Sequence, residues 1–181
     1  NQIKNRFKDY VKLKETNNLL VSKKEQKYMK SLDKIQINPF EDGILTTNNY
    51  FLLQNGKTQG FFVIDTDDKN SNYETAYAVT TNPLINFACP RSLFCIRLYE
   101  KNLSAKETTN STEKQVINYG QKIVIISHDS NYENSLYLFS SLLSPQNYSR
   151  FSRNQEVLVN TELGYNSVWC IEHVDTTLRF S

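Results

Sequence analysis

The chain has 181 residues, 21 basic against 19 acidic side chains, a net charge of +2, and 39% hydrophobic residues. That length suits one medium domain with an appendage, and it can bury a core without disulfides. The near balance of charge excludes a whole-chain polybasic nucleic-acid binder, and no apolar run approaches the roughly 18 residues of a membrane-spanning helix.

The first segment, residues 1–34, differs from the rest. It holds ten basic and four acidic side chains, a net +6, so the remainder carries −4, and it contains no Gly or Pro. Asn1–Lys14 is polar and basic and does not read as a signal peptide. Phe7, Tyr10 and Val11 share one helical face, Asn17-Asn18 marks a break, and Leu20, Lys24, Tyr28 and Leu32 line a second helix. A basic helical arm is expected. Its plain reading is a solvated helix surface. Its functional reading is contact with an acidic protein, or with anionic lipid or nucleic acid, through Phe7, Tyr10, Lys12, Lys23, Lys24, Lys27 and Tyr28, the lysines orienting the encounter and the aromatics anchoring it. A lipid surface fits less well, because the apolar face is thin.

From Ile35 the pattern changes to short strands. Candidates are Ile44–Leu45, Tyr50–Gln54, Phe61–Asp65, Thr75–Thr80, Leu93–Tyr99, Val116–Ile117, Lys122–Ser127, Leu136–Phe139, Glu156–Val159 and Ser167–Val174. Turn signals separate them at Glu41-Asp42-Gly43, Asn55-Gly56, Asn82-Pro83, Tyr119-Gly120, Ser144-Pro145 and Leu163-Gly164. Residues 104–115 read as a polar surface loop. The fold class expected is all-β, a barrel or sandwich, behind the helical arm.

The β region repeats. Ser92-Leu93-Phe94-Cys95-Ile96 matches Ser167-Val168-Trp169-Cys170-Ile171 at an offset of 75, and Phe51-Leu52-Leu53 matches Val124-Ile125-Ile126 at 73. Two β lobes of about four strands follow, residues 35–103 and 116–177, with Phe94, Cys95, Ile96, Trp169, Cys170 and Ile171 as their shared core. Four strands per lobe suggest a β-trefoil-like barrel whose third lobe is incomplete. Residues 178–181 would begin it. Such a barrel expects either more chain beyond Ser181 or a neighbour over the gap.

Candidate chemistry is sparse. Three cysteines read as reduced thiols, and replication of Cys95 and Cys170 with the repeat argues packing over catalysis. Cys170 and His173 fall on opposite faces of one strand, which disfavours a metal pair. His128-Asp129 reads as an exposed turn. Asp65, Asp67 and Asp68 lack the Gly and Glu spacing of a calcium loop. The glycines are too dispersed to cradle a phosphate. The sequons at Asn102, Asn110 and Asn147 read as chance. No enzyme activity, cofactor, metal, nucleic acid or membrane contact is expected.

Local patterns carry a resemblance. Tyr119-Gly120-Gln121-Lys122-Ile123 followed by Tyr137-Leu138-Phe139-Ser140-Ser141 resembles the strand pairs of MIR-type trefoil domains. The order of further short segments is similar to the cilia- and flagella-associated protein 161 family. They are Lys8-Asp9-Tyr10, Leu19-Leu20-Val21, Glu41-Asp42-Gly43-Ile44 leading into Tyr50–Asn55, Val116–Gln121, Leu136-Tyr137-Leu138 with Ser140-Ser141, Trp169, Asp175 and Leu178-Arg179. The resemblance implies a structural microtubule inner protein of the cilium or flagellum axoneme. It would bind tubulin and other inner proteins in the A-tubule lumen of doublet microtubules, as part of the cytoskeleton. The alternative is a free MIR- or lectin-like module for a glycan or soluble protein.

Overall fold

A computed structural model describes residues 2–16, 18–38, 43–69, 75–99, 114–127, 135–141 and 155–179. The chain divides into two compact units, Asn1–Asp33 and Lys34–Ser181.

The first unit is helical. α1 spans Gln2–Glu15 and α2 spans Leu20–Ser31. Both are rich in Lys, whose straight side chain loses little freedom in a helix, and neither contains Gly or Pro. Lys12 and Lys14 in the last turn of α1, and Lys30 in that of α2, face the negative end of each helix dipole. Thr16 closes α1, its amide and its hydroxyl both donating to the Lys12 carbonyl at 3.0 and 2.9 Å.

The second unit is one antiparallel sheet of eight strands: β1 (Tyr50–Leu52), β2 (Phe61–Lys69), β3 (Ala76–Asn82), β4 (Leu93–Leu98), β5 (Lys122–Ser127), β6 (Leu136–Phe139), β7 (Leu158–Asn160) and β8 (Val168–Cys170). The neighbour order is β1-β4-β5-β6-β7-β3-β2, with β8 joined to β5. The two end strands, β1 and β2, are consecutive in sequence. They meet at a bridge between Gln54 and Phe61, with the Phe62 amide donating to the Leu53 carbonyl at 2.8 Å. Gly60 is needed there, because a Cβ would lie 3.2 Å from the Asn82 and Pro83 backbone.

The pairing falls into two quartets built alike. In β1–β4, β1 pairs β4 with Tyr50 opposite Cys95 and Phe51 opposite Phe94, while β2 and β3 form a hairpin. In β5–β8, β5 pairs β8 with Lys122 opposite Cys170 and Ile123 opposite Trp169, while β6 and β7 pair. Loop bonds match as well. The Ile64 amide donates to the Arg91 carbonyl and the Ser140 amide to the Asn166 carbonyl, each at 3.0 Å. The Ser92 amide donates to Cys89 and the Ser167 amide to Gly164, at 2.9 and 3.0 Å. The Asn48 amide donates to Ile96 and the Gly120 amide to Ile171, at 3.2 and 3.0 Å. Asn48 and Gly120 both have positive φ, 61° and 81°, a region open to Asn and Gly above other residues.

The largest core cluster is Ile64, Phe94, Leu136, Leu138 and Val159, with Phe51, Phe62, Tyr77, Ile125 and Trp169 packed against it. Cys95, Val124, Ile126 and Tyr137 form a second cluster, flanked by Tyr99 and Leu163. Adjacent residues Phe94 and Cys95 therefore serve different clusters, as alternation along a strand demands.

Several expectations need adjusting. The register makes Ile123, not Val124, the counterpart of Phe51, so the upstream offset is 72. Alternating hydrophobicity does not fix a one-residue shift when Lys122–Ser127 is apolar on both faces. β2 extends to Lys69 with a register shift after Asp65, because hairpin pairing with β3 carries the strand past the polar residues. Ile44–Leu45 and Val116–Ile117 are not strands. They form a ribbon with a single bridge, Thr46 to Val116, and bonds from Thr47 to Gln115 and from Ile117 to Leu45. The expected strand Ser167–Val174 is ordered as β8 over only three residues. Turn residues Glu41, Asp42, Ser144 and Pro145, the sequons, His128-Asp129 and residues 104–113 of the polar loop lie outside the described residues, as do the side chains of Asp67 and Asp68.

Candidate functional site

The repeat core is asymmetric. Phe94, Cys95 and Ile96 are buried, with Phe94 fully so and Cys95 7% exposed. Their counterparts are not: Trp169 and Ile171 are half-buried and Cys170 is exposed. This corrects the expectation that all six are core. Among the described residues the two strands differ in their neighbours. β4 lies between β1 and β5, so β5 covers its second edge from Phe94 to Leu98. β8 has only β5 beside it among the described residues. Trp169 keeps the inner role of Phe94, packing on the main cluster while its indole Nε1 donates to the Leu138 carbonyl at 2.8 Å. Cys170 takes the outer role of Cys95 without the Val124, Ile126 and Tyr137 that bury the latter. Burial holds the Cys95 thiol above its usual pKa, since the thiolate is poorly solvated there.

Two buried polar anchors were not foreseen. The Arg91 side chain is 5% exposed. Its Nε donates to the Ile64 carbonyl at 2.6 Å and its Nη2 meets Asp65 Oδ1 at 3.0 Å. It ties the turn before β4 to β2 and satisfies backbone that the hairpin leaves over. Ser92 is fully buried, and its Oγ accepts from the Cys89 amide at 3.0 Å. The signal for Ser92 was in the sequence: it heads the repeated Ser-x-aromatic-Cys-Ile, and Ser167 heads the other copy and is buried too.

The helical unit presents its aromatics outward. Phe7, Tyr10 and Tyr28 are exposed, as are Lys12, Lys23, Lys24 and Lys27. On α1, Ile3, Phe7, Tyr10 and Leu13 make an exposed apolar stripe between basic residues. Such a surface can place apolar anchors into a partner while lysines meet carboxylates around them.

Near the end of the described chain, His173 Nδ1 accepts from the Asp175 amide at 3.0 Å, and its ring packs edge-on against Tyr119 with centroids 5.1 Å apart. Arg179 donates to the His173 carbonyl and pairs with Glu172 at 3.0 Å. Asp175 accepts from the Thr177 hydroxyl and amide, which hold its carboxyl below its usual pKa. These are bonds of a closing turn. No group of three or more His, Cys, Asp or Glu able to hold a metal occurs among the described residues. No helix among them is long and apolar enough to cross a membrane. The chain matches no protein-family model and shows no significant similarity to a curated protein.

Proposed function

We propose that the chain is a β-trefoil-like scaffold whose task is adhesion, acting as a microtubule inner protein in the A-tubule lumen of ciliary doublets. The observation that carries the reading is the pair of quartets with matching registers and loop bonds, joined by β4–β5, since quartets chained last strand to first strand are how a trefoil barrel grows. The resemblance of the segment order to that of the cilia- and flagella-associated protein 161 family supports the axonemal setting. The exposed, basic helical unit suits the acidic surfaces of tubulin and of neighbouring inner proteins. Many moderate contacts repeated along a lattice give avidity without chemistry.

The test is fractionation in a ciliated cell. Tagged protein is expected to stay with axonemes through detergent and moderate salt. Replacing Lys23, Lys24 and Lys27 with Glu is expected to lower its incorporation severalfold. Wild-type protein that washes out with detergent overturns the reading. A glycan-array signal from that soluble protein would mark a free MIR- or lectin-like module.

A further inference from the structure

We propose that the outer edge of β8 and its continuation, Val168–His173, is the docking edge for a third four-strand quartet of the same kind. The first strand of that quartet pairs antiparallel with the edge, as β5 pairs with β4. The inference deepens the trefoil reading above and does not depend on the microtubule setting.

The molecule supplies its own precedent. The last strand of the first quartet, β4, gives one edge to its own first strand and the other to the first strand of the next quartet. β8 has the first of these partners and, among the described residues, not the second. Its sequence continues as β4 does, yet Ile171–His173 is not a strand, whereas the matching Ile96–Leu98 is. The backbone is already set for a partner. The Ile171 carbonyl takes the Gly120 amide on the β5 side, so in an extended chain the backbone groups of Cys170 and Glu172 face the opposite edge.

The register follows from the precedent. Cys95 stands opposite Ile126 and Arg97 opposite Val124. Cys170 therefore stands opposite the Ile126 equivalent of the incoming strand, and Glu172 opposite its Val124 equivalent. The incoming strand has the character of β5, β-branched and apolar on both faces, one face meeting Trp169 and the other burying Cys170. β5 of a second copy cannot serve, because both its edges are taken by β4 on one side and by β6 and β8 on the other.

Cys170 offers a direct readout, since Cys89 and Cys95 are buried. The full chain is mixed with a peptide of the sequence Gln121–Ser127 carrying Ile126→Cys, in a glutathione redox buffer. A disulfide to Cys170 is expected at least about fivefold faster than with the same peptide carrying Ile125→Cys, because only the first places the two Cα atoms at cross-strand distance on one face. Amides 169–173 are expected to slow in hydrogen exchange. Glu172→Pro, which removes an edge amide that does not face β5, is expected to abolish capture with an unchanged melting curve. Equal rates for the two peptides overturn the proposal. So does capture retained by Glu172→Pro, or a dimer of the chain whose exchange protection maps to residues 168–173. Failure of axonemal retention would leave this register result standing, so the two readings fail separately.

Discussion

In the first quartet, Leu93–Leu98 is a six-residue strand whose first four residues are buried. In the second, the matching stretch begins with the same Ser-x-aromatic-Cys-Ile order, yet it is a strand for three residues and leaves its cysteine in solvent. The residues differ little in strand preference, Val and Trp standing where Leu and Phe stand. The neighbours differ by one strand: both have the first strand of their own quartet, and among the described residues only β4 has a second. A strand here is as long as its partners make it, and propensity alone does not order the second half of the motif.

Paired substitutions in the two quartets test that lesson, and the largest effect is expected at the aromatic position. Phe94→Ala removes a fully buried ring and should cost about 3–5 kcal/mol in denaturant unfolding. Trp169→Ala, at the half-covered counterpart, should cost less than half as much despite the larger side chain. Equal losses would mean that β8 is as enclosed as β4.

A middle-sized effect is expected at Arg91, whose counterpart in the second quartet is Asn166. Arg91→Met leaves the Ile64 carbonyl without its side-chain donor and should cost about 1–3 kcal/mol. Asn166→Ala should fall within about 0.5 kcal/mol, since that side chain is exposed. Thiol chemistry draws the same contrast by rate. A disulfide reagent should titrate one thiol, Cys170, in the native protein, and reach Cys89 and Cys95 only on unfolding.

The smallest effect concerns pH and the turn after β8. Asp175 has a lowered pKa in the folded chain through its bonds from Thr177. Its contribution is therefore complete above the ordinary carboxylate range and fades as pH falls through the lowered value. Asp175→Asn should flatten any acid-side loss of amide protection at Thr177 without moving the global unfolding midpoint at neutral pH.

Much of this fold is legible in the residues. β5 and β6 keep the bounds that their apolar runs suggest, Lys122–Ser127 and Leu136–Phe139. The two helices are written in Lys-rich stretches with apolar residues at helical spacing on either side of Asn17-Asn18. What the sequence hides is long-range. Nothing local says that Arg91 will reach back to Ile64, because the bond spans 27 positions. Nor does composition reveal that Cys170 stands in solvent where Cys95 is buried, since that depends on which strand arrives beside it. The one-residue error in the Phe51 match has the same origin: only cross-strand pairing reads the phase of a strand apolar on both faces.

Asn48 and Gly120 have a practical consequence. Each stands just ahead of its quartet's first strand on left-handed backbone, and each donates to the carbonyl that follows the quartet's repeated cysteine, Ile96 in one and Ile171 in the other. The chain thus enters both modules through one doorway, turned the same way. Anyone grafting, deleting or duplicating a module has two interchangeable splice points there, where a cut keeps the chain's direction of entry intact.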